Sequence, residues 1–200
     1  FKNVFDLDTN IDVIPHHGST DGLILISVCV HHGIPHQEAM EKLPLMQQVM
    51  IDHFLNNASE NAGTGLEVLP GVATLLEYLS SRDDVVTCLV TGNLEPIGWS
   101  KMDALGIKHL FSTPNFGGFG SDFCSGNYQI FDTWKDRAEF VKIAAHKCAK
   151  NLGLNNLVDI DIDLARYHVG DAPMDVQAAA AAGAVPVGVT TGIYKKEELE

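Results

Sequence analysis

Basic residues are scarce in this chain. Its 200 residues carry 13 Lys and Arg against 26 Asp and Glu, a formal charge of −13. A nucleic-acid binder would show a basic patch, so that class is set aside. The same acidity leaves a phosphorylated substrate open, because a bound divalent cation reverses the local sign. Long apolar runs are missing as well: Leu23–Val30 is far too short to span a bilayer, and no basic-then-apolar stretch opens the sequence. Cysteine is sparse and shows no Cys-x-x-Cys pair. Three of the four thiols, Cys29, Cys88 and Cys148, fall in apolar or helical settings, which points to reduced, buried thiols in a cytoplasmic protein. No internal repeat is visible, and the only low-complexity segment is the alanine run Ala178–Ala182.

What is present suits a folded α/β protein. A hydrophobic share of 46% is ample for a core, and the length fits one domain or a core with a modest insertion. The chain opens with Val4-Phe5-Asp6-Leu7-Asp8-Thr9, an apolar run that reads as a buried strand with two carboxylates at its end. Side chains alternate along a strand, so Asp6 and Asp8 would share one face. Two like charges held together call for a cation or a shared proton, which leaves a metal site, an acid/base pair or a chance pair.

From Thr20 the apolar spacing predicts a helix up to Gly33, with Ser19 or Thr20 as its N-cap. A second helix is expected from Pro35 to about Asn57, with a break at Pro44 and a buried stripe that includes Leu45, Met46, Val49 and Phe54. A third starts at Pro70-Gly71. From Val85 onward strands and helices alternate: Val85–Val90, Pro96–Leu105, a short strand after Phe111, Thr133–Leu152, Tyr167–Val169, Pro173–Ala182 and Val185–Val189. That order is the pattern of a doubly wound parallel sheet, into which a helical block is inserted after the first strand. The expected division is a core of residues 1–13 and 66–200, with a helical cap over 14–65.

In an open parallel sheet, ligands sit outside the carboxyl ends of the strands. Those ends carry Asp6 and Asp8, then Thr91-Gly92-Asn93, then Gly170-Asp171 with Asp175 one turn later. Hard oxygen ligands of this kind suit Mg²⁺, and a threonine hydroxyl beside backbone amides suits phosphate oxygens. Lys135 and Arg137, on the helix starting near Thr133, offer a balancing cation.

Phe5-Asp6-Leu7-Asp8, Val90-Thr91-Gly92-Asn93 and Gly170-Asp171-Ala172-Pro173-Met174-Asp175 resemble motifs I, II and IV of the haloacid dehalogenase (HAD) superfamily. The helical insertion is similar to the C1 cap of its phosphoglycolate-phosphatase-like members. The resemblance implies a Mg²⁺-dependent phosphatase acting on a small phosphorylated metabolite, with no nucleic-acid or membrane partner. Asp6 would be the nucleophile that forms an aspartyl-phosphate. Asp8 would act as general acid and then base. Thr91, with Gly92 and Asn93, would hold the phosphoryl group, and Arg137, ahead of Lys135 or Lys142, would supply the stabilising cation. Mg²⁺ would bind Asp6, Asp171, Asp175 and the backbone carbonyl of Asp8. One departure stands out: the family pattern continues Asp-Gly-Thr, whereas Asp8 runs into Thr9-Asn10. The shortness of the path to the first cap helix suggests residues missing at that point.

Two alternatives follow: a phosphomutase of the same superfamily, and a non-catalytic binding protein of that fold with an altered first turn. His17, Ser19 and Asp21 lie near the entry to the cap, where they would bear on substrate selection. Adjacent histidines point to different sides of a chain, so His16-His17 and His31-His32 are not expected to bind metal. Phe116, Phe119, Phe123 and His168 read as packing residues, and two of Lys135, Arg137 and Lys142 as solvated charges. Oligomeric state is not indicated.

Overall fold

The computed structural model describes residues 1–57, 62–153 and 165–200. Eight α-helices and four strands are assigned among them: α1 (Lys2–Phe5), α2 (Asp21–His31), α3 (His36–Asn56), α4 (Val72–Ser80), β1 (Leu89–Thr91), α5 (Glu95–Ala104), β2 (Gly117–Phe119), α6 (Thr133–Asn151), β3 (Tyr167–Gly170), α7 (Pro173–Ala181), β4 (Val185–Gly188) and α8 (Lys196–Leu199). No described helix is long and apolar enough to cross a membrane.

The molecule is a mixed α/β structure with two small parallel sheets. β1 pairs with β2, Leu89 opposite Gly117, and β3 pairs with β4, Tyr167 opposite Val185. The expected continuous doubly wound sheet is not formed among the described residues, and the reason lies at the N-terminus. Val4-Phe5 is helical rather than extended. Phe1, Val4 and Phe5 fall at i, i+3 and i+4, which puts all three on one helical face, and they pack against the cluster formed by α2 and α3. The Lys42 ammonium lies 4.5 Å from the centre of the Phe5 ring. With this segment on the helical pair, no strand among the described residues joins β1 to β3.

The helices between residues 20 and 57 follow the sequence pattern closely. Thr20 caps α2, its hydroxyl accepting from the Leu23 amide at 3.5 Å. Leu23, Leu25, Ile26, Val28 and Cys29 of α2 are buried, and Leu25, Ile26 and Cys29 meet Ala39, Leu43 and Met46 of α3. Each fully buried Leu or Ile contributes about 1.5–3 kcal/mol of transfer free energy. α3 runs on through Pro44 without the expected break. Leu45, assigned to its buried stripe, is 53% exposed instead, because Leu43 and Met46 occupy the inward face.

A second centre of packing supports β1 and β2. Trp99 of α5 stands edge-on to Phe119 and Phe111, with centroids 5.8 and 5.6 Å away, and Phe119 and Phe140 are fully buried. Phe116 is buried as expected, whereas Phe123 is 38% exposed. On the other side, Ala179, Ala182 and Ala184 close on Val141 of α6 and on Val90. Small side chains let α7 approach α6 tightly, which sets the spacing of the charged residues described below. The β3–β4 sheet is less covered: Tyr167, Val169 and Val185 are each more than half exposed. All four cysteines are free thiols, and only Cys29 is fully buried.

Candidate functional site

The two separate sheets aim their carboxyl ends at one cavity of about 420 Å³. Val90 and Thr91 line it from β1, and His168, Val169 and Gly170 from β3. Arg137, Asp171 and Asp175 give it charge. His17, Gly18, Ile193 and Tyr194 form further parts of its wall.

Local structure explains why each group is there. Arg137 sits one turn into α6, and its Nη1 donates to Asp175 Oδ1 at 2.8 Å while its Nε donates to the Gly18 carbonyl at 3.1 Å. One guanidinium thereby ties α6, α7 and the segment that precedes α2. The second oxygen of Asp175 accepts from the Ala172 amide at 3.2 Å, across the first turn of α7. Gly170 is required beside it: a Cβ at that position would lie 2.3 Å from the Asp175 Cβ. Gly192 makes the same kind of room for Asp171, whose Oδ2 lies 2.1 Å from where a Cβ would stand. His168, read as a packing residue, is half-buried and faces the cavity; burial holds its pKa below the usual 6.5, with Asp175 opposing and Arg137 adding to the shift.

Thr91 is fixed from two sides. Its Oγ1 accepts from the Asn93 amide at 3.2 Å, and a Cβ placed on Gly98 of α5 would lie 3.3 Å from its methyl group. Because the Asn93 amide occupies an acceptor site on that oxygen, the Thr91 hydroxyl hydrogen remains available to a partner in the cavity.

The structure thus gathers Thr91, Arg137, Asp171, Asp175 and His17 around one space, with Gly92 and Asn93 in the turn behind Thr91. Ser19 lies just outside, its carbonyl 3.1 Å from where a Gly92 Cβ would stand. Asp6 and Asp8 are elsewhere: both are exposed, and Asp6 forms an ion pair with Lys2 at 2.7 Å. Asp6 caps α1 in the left-handed conformation, φ 54°. The chain is continuous from Asp8 through Thr9-Asn10 into a 3₁₀ turn at Ile11–Val13, with no missing residues between. Of the three candidate cations, Lys135 pairs with Asp132 and Lys142 with Glu139 at the surface, which leaves Arg137 in the cavity. Ile193 and Tyr194 escaped the sequence reading because they follow a Thr-Thr-Gly stretch that carries no chemical signature of its own.

The donor set does not suit Mg²⁺ as it stands. Both oxygens of Asp175 are engaged, Asp6 and Asp8 lie outside the cavity, and no group of three or more His, Cys, Asp or Glu side chains converges among the described residues. Asp171 is the carboxylate left for a cation.

The fold and the site define an α/β protein with a cavity lined by Arg137, Asp171 and Asp175 at the carboxyl ends of parallel strands. Residues 138–200, which run from within α6 through β3, Asp171, α7 and β4, are similar to the HAD-hydrolase-like family model. No curated protein shows a significant match to the chain.

Proposed function

We propose that the chain is a phosphomonoester hydrolase of the HAD type, acting on a small phosphorylated metabolite. The observation that carries this reading is the convergence of Thr91, Arg137 and Asp171 on one cavity between β1 and β3. The phosphoryl group would sit against the Thr91 hydroxyl and the backbone amide of Gly92. Arg137, beside it, would stabilise negative charge as it develops.

Asp6 remains the proposed nucleophile and Asp8 the acid/base partner, delivered by the N-terminal segment in an extended form between β1 and β3. Two features support that delivery. α1 is a four-residue helix with no buried residue, too short to be stable by itself. Asp8 is tethered to the cavity wall at His17 by a stretch that spans at most about 30 Å. In a strand, Phe5 and Leu7 would face one side and Asp6 and Asp8 the other. The helical block over 14–65 is the proposed cap, with His17 and Ser19 at its hinge and selecting the substrate. The donor set described does not hold Mg²⁺; metal dependence belongs to this reading only once the N-terminal segment brings Asp6 and Asp8 beside Asp171, which together would offer the oxygen ligands.

A second reading is a phosphate-binding protein without turnover. The exposed Lys2–Asp6 pair favours it, because it holds the nucleophile out of the cavity. Hydrolysis of p-nitrophenyl phosphate with Mg²⁺, with EDTA and with Asp6→Asn separates the two. Metal-dependent turnover abolished by Asp6→Asn supports the hydrolase. Orthophosphate binding without turnover supports the second reading.

A further inference from the structure

The first turn of α2 reaches across to the turn behind Thr91 through Asp21. The Asp21 carboxylate accepts from the Leu94 amide at 3.0 Å and from the Asn93 side-chain amide at 3.2 and 3.3 Å. The Asp21 backbone amide donates to the Gly92 carbonyl at 2.9 Å. On its other side, the Asn93 side-chain oxygen accepts from the Lys101 ammonium at 2.8 Å. The three side chains form a relay in which the amide of Asn93 separates an anion from a cation.

The relay has only one orientation. The amide nitrogen of Asn93 must face Asp21, which can only accept, and its oxygen must face Lys101, which can only donate. With the turn held this way, the Asn93 backbone amide meets Thr91 Oγ1, and the Thr91 hydroxyl is left to donate into the cavity. Every residue of the turn, Gly92, Asn93 and Leu94, is thus bonded directly to Asp21.

We propose that Asp21 is a positioning residue, which locks the Gly92–Leu94 turn so that Thr91 presents its hydroxyl as a donor to a bound phosphate. This rests on the reading of Thr91 as a phosphoryl contact. It also gives the helical block a direct grip on the phosphate end of the site. Burial raises the pKa of Asp21, while the Leu94 and Asn93 bonds and the Lys101 charge oppose that rise.

The test uses orthophosphate as the probe, its affinity measured by isothermal titration calorimetry on the full chain. Asp21→Asn sets an amide nitrogen against the amide nitrogen of Asn93. Turning Asn93 over sets its nitrogen against Lys101 instead, so the variant is frustrated in either orientation. Its affinity falls about tenfold, the scale of one misdirected charge-assisted hydrogen bond. The exchanged pair Asp21→Asn/Asn93→Asp restores the alternation of donors and acceptors, and with it the affinity. Thermal unfolding of each variant reads folding separately. Wild-type affinity in Asp21→Asn overturns the proposal, as does a loss in a folded variant that the exchanged pair fails to restore. Binding lost in Thr91→Ala and kept in Asp21→Asn overturns this inference alone. No orthophosphate binding by the unaltered chain overturns the functional reading and this inference together.

Discussion

The Arg137 guanidinium and the Asp175 carboxylate form a 2.8 Å ion pair at the wall of the cavity, with 18% and 10% of the two side chains exposed. Each holds the other in a partly dry place, so removing one strands the other. Asp175→Ala is expected to cost on the order of 3 kcal/mol, read as a lower urea midpoint. Asp175→Asn has a second consequence. It keeps the shape but releases the Arg137 charge, so the account predicts tighter orthophosphate binding in that variant and weaker binding in Arg137→Met. Calorimetry on both gives the signs.

His168 supplies a pH dependence. Burial holds the folded imidazole neutral below its ordinary 6.5, so the unfolded chain takes up a proton first as pH falls. The stability it contributes is present above 6.5 and is lost as pH drops toward the depressed folded value. Between about pH 7.5 and about pH 5.5, the melting temperature of the unaltered chain should therefore fall more than that of His168→Gln. Equal slopes in scanning calorimetry would remove His168 from the account.

The thiols give a kinetic prediction. Burial pushes Cys88 and Cys124 up to about 11. Their thiolate fraction near pH 8 is then on the order of one in a thousand, and Ellman's reagent should label them slowly in the folded chain. Denaturant should make all four cysteines react fast. Rapid labelling of Cys88, the residue before β1, in the folded state would contradict that burial.

Gly170 tests how tightly β3 meets α7. Alanine there places a carbon 2.3 Å from the Asp175 Cβ, so one of the two elements must shift. We expect a loss of about 2 kcal/mol by urea unfolding, accompanied by weaker orthophosphate binding. A neutral substitution would mean that the Arg137–Asp175 pair does not depend on this contact.

Much of this was legible in the sequence. The helices at Asp21–His31, Thr133–Asn151 and Pro173–Ala181 and the strands at Tyr167–Gly170 and Val185–Gly188 fall within a residue or two of the spans expected from apolar spacing, Gly and Pro. Thr91, Arg137, Asp171 and Asp175 were singled out as strand-end and helix chemistry, and they meet in one cavity. The N-terminus misled for a physical reason. Val4-Phe5-Asp6-Leu7-Asp8 carries a period of two, while Phe1, Val4 and Phe5 carry the helical spacing. The apolar face of the α2–α3 pair offers the second pattern a surface to cover. The continuity of the sheet depended on that one segment. Pro44 misled in the opposite direction: a proline with its ring exposed on α3 loses one hydrogen bond, and the burial of Leu43 and Met46 beside it outweighs that loss. Residues 58–61, between the second and third expected helices, and 154–164, between the expected helix Thr133–Leu152 and the strand Tyr167–Val169, lie outside the described residues.

The aspartyl-phosphate is the most direct point of test. The full chain, mixed with p-nitrophenyl phosphate and Mg²⁺ and quenched in acid within its first turnovers, can be digested and mapped by mass spectrometry. The account predicts a phosphoryl group on the peptide carrying Asp6, absent from Asp6→Asn and reduced in Thr91→Ala. Turnover with no adduct on Asp6, or with an adduct on another residue, would contradict the delivery of Asp6 to the cavity between β1 and β3.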